Sequence, residues 1–104
     1  MGKFFLDPCV EGELRGIWEF IAIDNPDAAT AVVEAAYETF KNLAAHPELG
    51  PQRKFRNPRL REVRSFRVSG YENYLIFYRP VHQGIQVLHI YHGARNLERL
   101  FGEG

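Results

Sequence analysis

Two helix-initiation signals followed by apolar stripes constrain the fold of this chain more than any other feature. Asp7-Pro8 and Asn25-Pro26 each place a capping side chain before a proline, which loses no hydrogen bond in the first helical turn. Apolar residues then recur at helical spacing: Leu14, Ile17, Trp18 and Ile21 after the first signal, and Ala29, Val32, Val33, Ala36, Phe40 and Leu43 after the second. Because the link is short, we predict an antiparallel helical hairpin whose stripes, including Trp18, face a common core.

The sequence on both sides of this hairpin has β-strand patterns. "KFFL" is a short apolar run, "EVRSFRV" alternates apolar and polar residues, and "YLIFYRP" and "IQVLHIYHG" are apolar on both faces. The turns "SGYEN" and "VHQG" separate the last three strands, which we expect from Leu60 onward. A final "ARNLERLF" predicts a short helix. The order β-α-α-β-β-β-α predicts one α+β domain over residues 1–104, with an antiparallel sheet packed against the hairpin.

Composition excludes several classes of protein. The single cysteine, Cys9, permits no intramolecular disulfide, and no cysteine and histidine set has zinc-finger spacing. We therefore expect neither a metal nor another cofactor. "MGKFFLDPC" has no secretory h-region, and no apolar run approaches the roughly 20 residues of a membrane span. These features predict a cytoplasmic protein that does not contact a membrane.

Charge is unevenly distributed although the formal net charge is zero. Residues 1–50 hold nine acidic and three basic groups, whereas residues 51–67, "PQRKFRNPRLREVRSFR", hold seven basic groups and one acidic group. Such asymmetry is typical of a chain with an anionic partner. The alternative is that these arginines form an ordinary solvated face.

Four segments carry a resemblance to a known family: "IWEFIAIDNPDAA", "HPELG", "YLIFYR" and "HGARN", in that order. The chain resembles the RelE/ParE superfamily of bacterial type II toxins, and its details are more similar to the ParE branch. The resemblance covers nearly the whole chain. It implies a growth-arresting toxin that is neutralised by direct binding of a cognate, ParD-like antitoxin with a DNA-binding N-terminal half.

The two branches imply different targets. ParE-like toxins are associated with inhibition of DNA gyrase through protein binding, whereas RelE-like toxins are ribosome-dependent mRNA endoribonucleases. The ParE resemblance needs no catalytic residue, and we favour it. It implies contact with nucleic acid only through the antitoxin, whose dimerisation makes the complex a heterotetramer or larger. A copy that has lost toxicity and only assembles with its partner is a third possibility.

The RelE alternative needs a base, cations for the developing phosphorane charge, and an acid. The resemblance carries these roles to five residues: Lys54, Arg61, Arg79, Tyr91 and His92. His89 and Tyr91 should share one face of a strand, with His92 on the other. Either His89 with Tyr91, or His92 with Arg95, is therefore the expected cluster. A hydrogen-bonded core role for His89 and a turn at "HGAR" are the structural alternatives.

Antitoxin binding is expected at two kinds of residue. The arginines of the basic segment suit an acidic antitoxin tail, and the last helix has a small apolar stripe that needs a covering surface. The predicted antitoxin-binding residues are Arg59, Arg61, Arg64, Leu97, Leu100 and Phe101. Addition of a strand at the sheet edge and packing of a helix in a groove both remain open as docking modes.

Overall fold

The computed structural model describes residues 2–93 as two helices packed on a four-stranded sheet. The elements are β1 Lys3–Leu6, α1 Pro8–Ala22, α2 Pro26–Ala45, β2 Arg64–Val68, β3 Tyr71–Val81 and β4 Gly84–His92. This confirms the predicted α+β order as far as β4. The predicted C-terminal helix, with Arg95, Leu97, Leu100 and Phe101, lies outside the described residues.

The sheet has the strand order β1-β4-β3-β2. Strands β2, β3 and β4 form the predicted antiparallel meander. Strand β1 pairs with β4 in parallel, with Lys3 opposite Gly84 and Leu6 opposite Val87, so the sheet as a whole is mixed. Parallel neighbours need a long crossover, and the helical hairpin with the meander supplies it. The prediction of an antiparallel sheet is therefore corrected at this one strand.

The two faces of the sheet pack against different partners. The hairpin covers one face through a cluster that includes Leu14, Phe40 and Ile76. The other face packs against the connection between α2 and β2, where Val63 meets Phe77. This second layer explains why the central strands are apolar on both faces.

The helix starts follow the predicted signals with one difference. The Asn25 side chain accepts a hydrogen bond from the Ala28 amide at 3.1 Å. The Asp7 side chain makes no capping bond and accepts instead from the Gln86 side chain. Trp18, expected in the core, is 38% exposed and donates its indole N–H to Thr30 Oγ1 at 3.1 Å. The first stripe therefore buries residues nearer its N-terminal end, and the Trp18 prediction is wrong.

The connection between α2 and β2 differs from the sequence prediction. Strand structure was expected from Leu60, but a 3-10 turn spans Pro58–Leu60 and β2 begins at Arg64. Asn57 stabilises the turn, since its side chain accepts from the Arg59 amide at 2.9 Å. Arg61 consequently lies on the connection and not on a strand face.

Candidate functional site

The five residues assigned to the nuclease alternative do not form one cluster within residues 2–93. Lys54 and Arg61 are exposed on the connection. Arg79 lies opposite Gln86 and donates to its Oε1 at 2.9 and 3.1 Å, whereas His92 lies opposite Tyr74. Six positions separate Gln86 from His92 along β4, which corresponds to about 20 Å of strand. The geometry therefore separates Arg79, a cation of the nuclease alternative, from His92 at the end of β4.

The polar residues at the end of β4 divide between the two faces as predicted. The rings of His89 and Tyr91 stack, with centroids 4.8 Å apart. The ring of His92 instead meets Tyr74 edge-on at 5.5 Å. Tyr91 is 8% exposed and packs against Phe77, so its ring belongs to the second core cluster. Burial of this kind gives a substrate little access to the Tyr91 side chain.

Residues of β1 and α1 cover the outer edge of β4. The Asp7 amide donates to the Val87 carbonyl at 2.9 Å, where β1 ends. Beyond that point Cys9 Sγ lies 3.3 Å from the Leu88 carbonyl, and the Ile90 amide donates to Glu13 Oε1 at 2.9 Å. The pairing register between β3 and β4 shifts at this point, between Phe77 and Tyr78. Side chains of α1 thus satisfy backbone groups of β4 that a longer β1 would otherwise bond.

Three groups meet at one nitrogen of His89 along this edge. Glu13 Oε2 lies 2.7 Å from His89 Nδ1, the Tyr91 hydroxyl 2.8 Å and Cys9 Sγ 3.6 Å. Burial, followed by the charges of Glu13 and Asp7, raises the pKa of the Cys9 thiol above its ordinary value. A position near the start of a helix lowers the pKa of a cysteine thiol, but burial and the two carboxylates outweigh that effect here.

Sequence reasoning missed the convergence of Cys9, Glu13 and His89. A signal was present, because Cys9 and Glu13 are four residues apart and therefore share one face of α1. The position of His89 opposite that face was not visible in the sequence, since it depends on how β4 meets the helix.

An apolar groove of about 560 Å³ lies between α1 and the end of the β3–β4 hairpin. Ile17 and Phe20 line it from the helix, and Tyr74 and Ile90 line it from the sheet. Phe20 is 75% exposed, which is unusual for a side chain of its size. Contiguous exposed apolar surface of this kind marks sites of protein interaction.

Comparison with known proteins decides the family. The family model described as "ParE toxin of type II toxin-antitoxin system, parDE" matches residues 5–97 of the chain. The chain belongs to this toxin family. The structure is also similar to a solved chain of the chromosomal ParDE toxin–antitoxin system from P. aeruginosa, with a TM-score of 0.69 and 20% identity. That match covers 88% of this chain and 96% of the other. No curated protein sequence matches.

The predicted resemblance is thereby confirmed, and the ParE branch with it. None of the toxin's helices within residues 2–93 is long and apolar enough to cross a lipid bilayer. The fold and the family are those of a ParE toxin. Its candidate interaction surfaces are the apolar groove lined by Ile17, Phe20, Tyr74 and Ile90, called the α1 groove, and the arginine-rich segment between α2 and β2 (residues 46–63), called the basic connection.

The basic connection presents its arginines in two ways. Arg59 and Arg61 are exposed beside the 3-10 turn. Arg64 is half-buried, and its guanidinium donates to the Gly50 carbonyl at 2.8 Å and to the Glu48 carbonyl at 3.4 Å. Arg64, the first residue of β2, therefore anchors the connection, while Arg59 and Arg61 face solvent.

Tyr78 anchors the start of this connection through two hydrogen bonds. Its pKa should make the free energy of unfolding vary with pH in the alkaline range. Its hydroxyl donates to the Pro47 carbonyl at 2.8 Å and accepts from the Gly50 amide at 2.9 Å. Burial raises the pKa of Tyr78 above its ordinary value of about 10, against smaller opposing effects of that amide bond and of Arg64.

The pKa of Tyr78 is about 10 in the unfolded chain and higher in the folded toxin. At a pH between these two values, the unfolded chain has lost the Tyr78 proton while the folded toxin keeps it. The folded state then binds more protons, so the free energy of unfolding should fall as pH rises above about 10. Urea unfolding from about pH 8 to pH 11 measures this slope. Tyr78→Phe should be less stable overall but flatter with pH, and Tyr71→Phe, at an exposed position, should keep the wild-type slope. An equal slope in Tyr78→Phe would contradict the assignment.

Proposed function

We propose that this ParE-family toxin is neutralised by direct binding of a ParD-like antitoxin and arrests growth by binding DNA gyrase. Assembly with a dimeric antitoxin then gives a heterotetramer or larger complex. The observation that carries the proposal is the exposed apolar groove on α1, which suits a protein partner better than a polynucleotide.

The dispersal of the nuclease candidates supports a target recognised by protein contacts. Acid–base cleavage of RNA requires its groups within hydrogen-bond reach of one scissile phosphate. Arg79 lies about 20 Å of strand away from His92, and the Tyr91 ring is packed in the core. A ribosome-dependent nuclease site built on these residues has no single centre in the described structure.

The groove suits the apolar face of an antitoxin helix. Ile17 and Phe20 are one turn apart, so together they present a ridge against which such a helix packs. Glu13 and His92 lie at the polar margin of the same groove and suit hydrogen bonds at a rim. Leu97, Leu100 and Phe101, which lie outside the described residues, stay part of the proposed antitoxin surface.

Arg59 and Arg61 are proposed to bind acidic residues of the antitoxin, with Arg64 holding the connection in place. Replacing both exposed arginines with serine should weaken antitoxin binding about tenfold at low salt, because two charge pairs are lost. The loss should shrink as salt is raised, since exposed charges are screened. Titration calorimetry at two salt concentrations measures both effects.

A matched variant separates local contacts from net charge. Arg15→Ser with Lys41→Ser removes the same charge from exposed positions on α1 and α2. This control variant should bind the antitoxin with near-native affinity. If both double variants bind the antitoxin equally weakly, the loss of affinity comes from net charge and not from contacts of Arg59 and Arg61. Unchanged affinity of the Arg59 and Arg61 variant at low salt would overturn the assignment.

Induced expression in bacteria distinguishes the two targets. The toxin alone should arrest growth, induce a DNA-damage reporter and leave transcripts intact, and coexpression of the antitoxin should restore growth. Cut transcripts with a silent reporter would favour the nuclease alternative. Normal growth at a verified level of folded toxin would contradict the proposed activity.

A further inference from the structure

We propose that Cys9, Glu13 and His89 form a binding site for a zinc-type divalent cation at the covered edge of β4. The three residues supply a thiolate sulfur, a carboxylate oxygen and an imidazole nitrogen, which are the donors that zinc prefers. One potential ligand atom from each lies within 4.8 Å of the other two. Glu13 also lies at the margin of the α1 groove, but neither the fold nor the proposed partners account for the convergence of all three residues.

One distance between ligand atoms matches that of a tetrahedral zinc site, and a second must lengthen when an ion binds. Zinc bonds of about 2.3 Å to sulfur and about 2.0–2.1 Å to nitrogen place those two atoms about 3.6 Å apart. Cys9 Sγ and His89 Nδ1 lie 3.6 Å apart in the structure. Glu13 Oε2 lies 2.7 Å from the same nitrogen, so this oxygen must withdraw to about 3.4 Å when an ion binds.

The hydrogen-bond geometry also favours a cation over a catalytic thiol. An imidazole nitrogen carries one hydrogen or one lone pair, yet Cys9, Glu13 and Tyr91 all converge on Nδ1 of His89. A nucleophilic thiol with a histidine base needs the orienting carboxylate at the opposite ring nitrogen. Here the carboxylate and the thiol share one nitrogen, which is the arrangement of ligands around an ion.

The backbone positions the ligands before any ion arrives. Cys9 and Glu13 are one turn apart on α1, and the other oxygen of Glu13 accepts from the Ile90 amide at 2.9 Å. The stacked ring of Tyr91 fixes the plane of the His89 ring. Such supporting contacts orient metal ligands and strengthen binding. A bound ion would tie α1 directly to β4, leaving one coordination position for water.

Titration of the reduced, chelator-stripped toxin with zinc chloride tests the site. We expect one zinc ion per chain by calorimetry and a higher Tm. Cobalt(II) bound in its place should give a thiolate charge-transfer band. Cys9→Ser should abolish that band and weaken zinc binding by about 100-fold or more, beyond the ~10–100-fold effect of groups that only orient ligands.

Matched variants keep the test specific. Glu13→Gln and His89→Gln should also weaken binding, whereas His82→Gln and Glu11→Gln alter exposed groups outside the cluster and should leave it unchanged. Circular dichroism verifies that each variant is folded. In the wild-type toxin, zinc should slow alkylation of Cys9 by iodoacetamide. No zinc uptake by the wild-type toxin, or wild-type affinity in folded Cys9→Ser, would overturn the proposal.

Discussion

Replacing Phe20 with glutamate is expected to weaken binding of the cognate antitoxin about 100-fold, or roughly 2.7 kcal/mol. Phe20 is 75% exposed and lines the apolar groove from α1, so its side chain is available to enter a partner's apolar surface. Glutamate would place a charge against the apolar helix face that is proposed to fill the groove. Affinity measured by titration calorimetry with the purified antitoxin gives the effect directly.

Ile23 provides the matched control for this prediction. It is 81% exposed at the end of the same helix but does not line the groove. Ile23→Glu makes the same type of change, apolar to acidic, and should leave antitoxin affinity near the wild-type value. If both variants bind the antitoxin as tightly as the wild type does, or if both lose affinity equally, the groove is not the docking site.

Replacing Gly50 with alanine is expected to lower the free energy of unfolding by about 4 kcal/mol, a Tm decrease of about 20 °C. A Cβ atom at this position would lie 2.4 Å from the Ser65 carbonyl oxygen and 2.8 Å from the Tyr78 hydroxyl. The backbone must move, which breaks the bond from the Gly50 amide to Tyr78 and displaces the carbonyl that accepts from Arg64. Thermal unfolding followed by circular dichroism measures the change.

Gly12 tests the same substitution where space is available. An added Cβ there meets no atom within 4 Å, and the residue lies inside α1. Gly12→Ala should therefore raise stability by about 1 kcal/mol through better helix propensity. A Gly50→Ala variant as stable as wild type would show that the connection is not fastened to β2 as described.

The parts of the fold that local chemistry determines were predictable from sequence. The signal at Asn25-Pro26 defined the start of α2, because capping and proline act within a few residues. The antiparallel meander followed from apolar runs separated by turns. The parallel pairing of β1 was not predictable, since it depends on the path of the chain across the whole sheet.

The candidate site shows the same division. Strand alternation predicted that His89 and His92 point to opposite faces of β4. The structure confirms this, since His89 stacks on Tyr91 and His92 contacts Tyr74. The anchoring of Arg64 and the groove beside Phe20 both depend on tertiary contacts. A stripe on a helix indicates which residues are apolar, but the neighbouring sheet decides which of them become buried, as the exposure of Trp18 illustrates.

Supercoiling of relaxed plasmid by purified DNA gyrase tests the central claim most directly. The purified toxin, added with ATP present, should suppress supercoiling in proportion to its concentration, and an equimolar amount of antitoxin should restore it. The Phe20→Glu toxin should then resist rescue by the antitoxin. Full supercoiling at a large molar excess of folded toxin, together with cleavage of mRNA on purified ribosomes, would contradict the account.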